Sequence, residues 1–412
     1  MNEELLREIS EKYLLPCFSG ATLEANAATS TARESTVSFI NPQVIGFKVN
    51  RTDNYRLQFK RDQPFAQQDD PAREKLVIEA FTEIVGNMEK ELASPLKDDL
   101  LSTFQRRVAA KAVAEPGSEK ATLAVIDQLA LWATRLYEGA AISSAIGISL
   151  ADGNGIGLTL NDIAGSDFGA VLANGFDTLL EINPDLKFVA HRVLPTRDTP
   201  VPYCPWRHTA IAQWTSEARE RVAVVLNRLG EILIFRQGQL LFARRGGTWH
   251  FLTHQPIIRQ MSVPKDQDIR KAIYETTLDA SFSRTGACLG VVSHEFAGKW
   301  TGVIARADLL DDASSTKSKA IKQIIGDRKF HDLHRTLRQE LVAIDGATVI
   351  DHKGKVLAVG AILQIEGGST GGGRTAAARQ LGTMGLGVKV SQDGGITGFR
   401  QKANDATAFR VM

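Results

Sequence analysis

AIDGATVIDHKGKVLAVGAILQIEGGSTGGGRTAAARQLGTMGLGVKVSQDGGITGFR, residues Ala343 to Arg400, alternates short apolar runs with Asp/Gly turns and holds one glycine-rich entry into a helix. The runs predict strands at Thr348–Ile350, Val356–Leu363, Val388–Ser391 and Ile396–Phe399, and the segment between the second and third predicts a helix over Arg374–Leu381. Strands around a helix describe an α/β sheet. Two places in the stretch suit phosphate chemistry. Asp345-Gly346-Ala347 can hold a carboxylate at a strand end. Gly371-Gly372-Gly373-Arg374-Thr375 opens glycines onto a helix start, where free backbone N–H groups and the helix dipole favour an anion.

Upstream of this stretch, Gly286-Ala287-Cys288-Leu289-Gly290-Val291-Val292 has the continuous hydrophobicity of a strand buried on both faces, and a helix is expected over Gln267–Ala280 before it. Short runs at Ile232–Phe235, Leu240–Ala243 and Trp249–Leu252, split by Gln237-Gly238 and Gly246-Gly247, predict an antiparallel meander. Ser216–Leu229 is expected to be a helix, capped by Ser216 and stopped by Gly230. Ile142–Leu150 and Ile156–Leu160 predict a hairpin about the turn Asp152-Gly153-Asn154-Gly155. The first part of the chain predicts helices at Glu3–Leu14 and Lys97–Ala114, a third carrying the stripe Leu123 to Leu136, and a fourth with its start at Asp70-Pro71. Thr36–Leu57 predicts two strands. No repeat period appears. The expected division is a 1–187 α+β region without an assigned role and a 188–412 domain that contains the opening stretch.

The length of 412 residues suffices for two domains, and 49 basic against 47 acidic residues leave a net charge of +2, so any polyanion site must be local. Nothing in this balance signals nucleic acid. Cys17, Cys204 and Cys288 are odd in number and far apart, which excludes a disulfide framework and a zinc ribbon and fits a reducing compartment. The N-terminus is charged and helix-patterned rather than secretory. The longest apolar stretch, Gly139 to Leu150, is broken by Ser143 and Ser144 and is too short to span a bilayer. A cytoplasmic protein with no membrane partner is expected. His331 with His334, and Cys204 with His208, have metal-ligand spacing but lack a second pair nearby. Trp206-Arg207-His208 and Gly247-Thr248-Trp249-His250 are aromatic-basic clusters, suited either to stacking a base or to packing.

Taken together, the Gly286–Val292 run after a helix, Asp345-Gly346-Ala347 before a strand pair, Arg374-Thr375-Ala376 opening a helix and Val388-Lys389-Val390-Ser391 after it resemble the diadenylate cyclase (DAC) domain. The resemblance covers about Glu275 to Arg400. It implies a twisted mixed β-sheet flanked by helices, so the expected class is α/β with an additional N-terminal α+β region. It also implies nucleotide contacts at Asp345, Gly346, Ala347, Gly371, Gly372, Gly373, Arg374, Thr375 and Ser391, although Ser391 on its own pattern is a turn residue. In active members of the family the aspartate matched by Asp345 binds a divalent metal and helps activate a ribose hydroxyl, which would make Asp345 both catalytic residue and Mg²⁺ or Mn²⁺ ligand. Their second signature is Arg-His-Arg before Thr-Ala or Ala-Ala. Here the last arginine falls on Arg374, whereas the first two positions are Gly372 and Gly373. Loss of phosphate-contacting side chains weakens stabilisation of a transferring phosphoryl group.

The expected function is therefore a DAC-like sensor that binds a nucleotide or cyclic dinucleotide, needs no cofactor, and passes occupancy to an effector protein or another copy of itself. The alternative is an active diadenylate cyclase that makes cyclic di-AMP from ATP with Mg²⁺ or Mn²⁺. A third class is a scaffold that keeps the fold without a ligand.

Overall fold

Two runs in the chain are apolar at nearly every position, Ser144–Ile148 and Ala287–Val292, and both are buried along their whole length. A strand without a polar face has to be covered on both sides, and each of these runs becomes the centre of a sheet. The computed structural model describes the chain apart from residues 1, 25–27, 32–33, 66–71, 93, 95–96, 151–156, 166, 196–200, 313, 365–371, 403–404 and 412. It divides into two compact units, Met1–Pro256 and Ile257–Met412.

The first unit starts with helix α1 (Glu3–Ile9) and a small antiparallel sheet of β1 (Val37–Asn41), β2 (Val44–Phe47) and β3 (Tyr55–Lys60). Helices α2 (Arg73–Asn87), α3 (Lys97–Val113) and α4 (Glu119–Trp132) follow. Their apolar stripes meet the small sheet in an aromatic core, where Phe47 lies 4.9 Å from Phe59 and Phe81 lies edge-on to Phe104 at 5.4 Å. The expected start of α2 at Asp70-Pro71 lies outside the described residues.

A seven-stranded mixed sheet completes this unit. Its members are β4 (Ser144–Ile148), β5 (Thr178–Ile182), β6 (Phe188–Val193), β7 (Val222–Leu226), β8 (Ile232–Arg236), β9 (Gln239–Arg245) and β10 (Thr248–Phe251), in the order β6-β5-β4-β7-β8-β9-β10. Only β4 and β5 are parallel. Helix α4 packs on β4, β7 and β8, and α6 (Thr209–Ser216) packs on β7 and β8. Between β4 and β5, Thr159 and Asp162 form a capping box that starts a short helix, α5 (Leu160–Ala164).

In the second unit α7 (Gln267–Phe282) leads into β11 (Ala287–Val292), and α8 (Thr316–Ile325) and α9 (Arg335–Ala343) lead to β12 (Ala347–Asp351) and β13 (Val356–Ala361). Helix α10 (Gly373–Thr383) and strands β14 (Gly385–Val390), β15 (Ile396–Lys402) and β16 (Asp405–Arg410) complete it. The order is β13-β12-β11-β14-β15-β16, again with only the pair β11 and β12 parallel. This is the mixed sheet flanked by helices that the sequence implies. Thr348, pointing to one face, donates its hydroxyl to Leu341 of α9 at 3.1 Å. Cys288, Val349, Leu381 and Ala378 share a core on the other face, beneath α10.

The two sheets are built alike, a likeness that no period in the sequence marks. Gly147 of β4 pairs with Glu181 and Ala223, and Gly290 of β11 pairs with Val349 and Gly387. Continuing outward, Glu181 pairs with Ala190 and Val349 with Ala358, while Ala223 pairs with Phe235 and Gly387 with Phe399. The turn after the second strand agrees in its side-chain bonds, and the turn after the fourth in a backbone bond. The Asn183 and Asp351 side chains each accept two backbone N–H groups, from Asp185 and Lys187 and from Lys353 and Lys355. Asn227 N–H donates to the Glu231 carbonyl at 3.1 Å, as Ser391 N–H does to Gly395 at 2.8 Å. Chain order, parallel pair, register and turn bonding all recur.

Three expectations change. The region expected to form a helix at Ser216–Leu229 is strand β7, because Val222-Ala223-Val224-Val225-Leu226 is buried on both faces and β-branched residues suit a pleated surface. Strand β4 pairs with β5 and β7 rather than with a hairpin partner at Ile156–Leu160, where Leu160 begins α5; the turn at Asp152-Gly153-Asn154-Gly155 lies outside the described residues. The expected boundary at 187/188 falls between two strands, β5 and β6, that are hydrogen-bonded to each other. The three cysteines are buried and form no disulfide, and no described helix is long and apolar enough to cross a membrane.

Burial pushes two imidazoles of the first unit down, His208 to about 4 and His254 to about 3. Above pH 6.5 both folded and unfolded states are neutral at these positions. Between pH 6.5 and about 4 only the unfolded chain takes up the protons, so stability falls with pH. Each histidine contributes on the order of 3 kcal/mol across that window. Urea unfolding of the wild type is expected to show this slope and His208→Gln to reduce it; an unchanged slope in the variant would contradict the assignment.

Candidate functional site

The parallel pair β11 and β12 starts at one end of the second sheet, and that end gathers the residues singled out by sequence. Asp345 and Gly346 stand directly before β12. Gly346 has φ +102°, and a Cβ there would lie 2.6 Å from the Gly360 carbonyl carbon and 2.8 Å from the Ala361 nitrogen. Glycine is therefore required, and its contact with the end of β13 fixes the backbone that carries Asp345. The end of β13 is itself tied down. Lys317 of α8 donates to the Gly360 carbonyl at 3.1 Å and pairs with Asp308 at 2.5 Å, whose other oxygen accepts the Ile362 N–H at 3.0 Å. Both oxygens of Asp308 are thus engaged. Asp308 and Lys317 are positioning residues that sequence reasoning misses, since nothing in their spacing marks them.

Helix α10 points its first turn at the same place. Gly372, at φ +85°, precedes the helix, and its carbonyl accepts the N–H groups of Thr375 at 3.0 Å and Ala376 at 3.2 Å. The N–H groups of Gly373 and Arg374 come earlier than any intrahelical acceptor. The Arg374 guanidinium lies against Gly286, where a Cβ would stand 2.9 Å from Nη1, so the residue just before β11 leaves room for it. Its Nη2 is 3.8 Å from Asp345 Oδ1. The Asp345 side chain is 93% exposed and that of Arg374 33% exposed. A pair so open to water contributes well under 1 kcal/mol and leaves both groups available to a ligand.

Ser391 follows β14, whose Val390 pairs with Ala287, so the register places Ser391 beside Gly286. Its backbone is used in the β14–β15 turn. The structure therefore brings Asp345, Gly346, Ala347, Gly372, Gly373, Arg374, Thr375 and Ser391 to one end of the sheet, while Gly371 lies outside the described residues. Cys288, near Arg374, is no nucleophile, since burial pushes its thiol up to about 12 against the opposing pull of Arg374. His334 caps α9 by accepting the Thr336 N–H at 3.3 Å. Among the described residues no three His, Cys, Asp or Glu side chains gather as a metal site. A wider cleft of about 750 Å³, lined by Lys322, Arg328, Lys329 and Lys355, lies by the opposite end of β13 and does not include the Asp345–Arg374 pair.

No protein-family model matches the chain, and no curated protein matches it. Among solved structures, the chain is similar to a hypothetical membrane spanning protein from Bacillus cereus, at 15% identity over 39% of this chain and 76% of that one, with a TM-score of 0.25. It is similar to DacA from Staphylococcus aureus at 20% identity over 31% of this chain and 87% of that one, with a TM-score of 0.22. Likenesses this low leave fold and function to be argued from the chain's own residues.

Arg374→Ala is expected to change the unfolding free energy by less than about 0.5 kcal/mol. Gly346→Ala is expected to lower it by about 1–3 kcal/mol through backbone strain and overlap. Denaturant titration of the full chain measures both, and the reverse ranking would contradict this geometry.

Proposed function

We propose that the Ile257–Met412 unit binds a nucleotide or cyclic dinucleotide at the Asp345–Arg374 end of its sheet and acts as a sensor rather than a synthase. The observation that carries this reading is the open pair itself: a guanidinium and a carboxylate 3.8 Å apart, held on Gly286, Gly346 and the first turn of α10. Arg374 contacts a phosphate, helped by the N–H groups of Gly373 and Arg374 and by the helix dipole. Asp345 accepts from a sugar hydroxyl or a base amino group. Thr375 and Ser391 flank the ligand. The resemblance of this stretch to the DAC family supports the ligand class.

Binding is favoured over turnover because charge is scarce. Stabilising a phosphoryl group in transfer takes several aligned cations, and Gly372 and Gly373 supply only backbone where that family has Arg and His. Among the described residues a Mg²⁺ or Mn²⁺ ion would find the Asp345 carboxylate, and the ligand's own phosphates would supply further oxygens. The retained Asp345 is what keeps the cyclase alternative in view.

Calorimetric titration of the full chain with ATP and with cyclic di-AMP is expected to give saturable binding to at least one of them, weakened tenfold or more by Arg374→Ala. Incubation with ATP and either metal is expected to release no pyrophosphate. Release that disappears in Asp345→Asn would overturn the sensor reading in favour of the cyclase.

A further inference from the structure

We infer that the Met1–Pro256 unit carries a second nucleotide site, built from Asp177, Arg207 and Trp206 at the corresponding end of its own sheet. Register fixes the first of these residues. Glu181 and Val349 are the partners of Gly147 and Gly290 in the two parallel pairs, and four residues before them stand Asp177 and Asp345, each at the entry to its strand. Packing fixes the second. A Cβ on Gly147 would meet the Trp214 ring of α6 at 2.5 Å, and one on Gly290 would meet Leu381 of α10 at 2.7 Å. Seven residues before Trp214 and Leu381 stand Arg207 and Arg374. The carboxylate and the guanidinium thus recur together, from two independent alignments.

In the first unit they line a cavity of about 500 Å³ together with Phe176, Trp206, Thr209 and Ala210, a volume suited to a small molecule. The site is anchored from below. His208 is buried, stacks on Phe176 at 5.3 Å and 18°, and donates its Nδ1–H to the Gly175 carbonyl at 2.9 Å, which fastens the Asp177 loop to the Arg207 turn. The Asn174 side chain accepts the N–H groups of Phe176 and Asp177 and donates to Asp177 Oδ1 at 2.6 Å, leaving Oδ2 for a ligand. Asp177 and Arg207 are exposed, and Trp206 is 36% exposed.

The chemistry is that of a phosphorylated nucleoside. The indole of Trp206 offers a face for a base, Arg207 a fork for a phosphate, and Asp177 an acceptor for a ribose hydroxyl. The ligand class rests on the reading of the second unit, whereas the position rests on the register the two sheets share and on the cavity of the first unit.

The test is calorimetric titration of the full chain with ATP, and separately with cyclic di-AMP, on wild type, Arg207→Ala, Trp206→Ala and Arg374→Ala, each checked by thermal unfolding. The expected result is two sites per chain, one lost in Arg207→Ala or Trp206→Ala and the other in Arg374→Ala. A single site lost only in Arg374→Ala overturns the second site and leaves the first. A single site lost only in Arg207→Ala or Trp206→Ala supports the inference and removes the reading of the second unit. No binding of either probe to wild type overturns both.

Discussion

The close approach of a helix to the central strand of each sheet is the contact on which the rest of the structure depends. Gly147 and Gly290 occupy matching positions in the two parallel pairs, and in each case a large side chain of the covering helix fills the volume that a Cβ would take. Protein interiors are packed too densely for such a contact to be loose. A helix pressed onto a glycine has its height and axial position set, and so the arginine seven residues upstream has its place set as well. The glycine is therefore a structural residue with a consequence for the site at the sheet end.

Each sheet then presents its second strand's entry and its helix's entry at the same end. An aspartate stands at the first and an arginine at the second, in both units. What differs is the furnishing around the pair. In the second unit glycines dominate, with Gly286, Gly346, Gly360 and Gly372 giving close backbone approach. In the first unit Phe176, Trp206 and His208 surround the pair, and buried imidazole and aromatic stacking take over the role of the glycine contacts. One architecture thus frames a backbone-rich sheet end and an aromatic one.

The second sheet was largely legible in the sequence. The continuous apolar run of β11, the Asp/Gly turns and the helix start at α10 each have a local cause, and together they predicted β11 to β15 and α10, whereas the strand order and β16 come from the pairing in the sheet. The repeat was not legible, because the two copies share few residues and no fixed period. The connection from β4 to β5 runs from Ser149 to Asp177, whereas that from β11 to β12 runs from Ser293 to Gly346 and takes in α8 and α9. Unequal insertions erase periodicity, while register, which depends on tertiary pairing, preserves it. Strand β7 was hidden for a related reason: Val222–Leu226 sits between a capping serine and a glycine, and local helix signals outweighed a burial that only the sheet reveals. Arg207 takes the place of Arg374 in the first unit, but nothing local ties it to Asp177; the intervening sheet does.

The central claim is that one chain holds two copies of the same sheet with a ligand site at the same end of each. A crystal structure of the full chain grown with ATP tests this most directly. The account predicts ligand density beside Arg374 and Asp345 and again beside Arg207 and Asp177, with Gly147 under Trp214 and Gly290 under Leu381. Density confined to other surfaces, or strands whose register does not superpose when Gly147 is laid on Gly290, would contradict it.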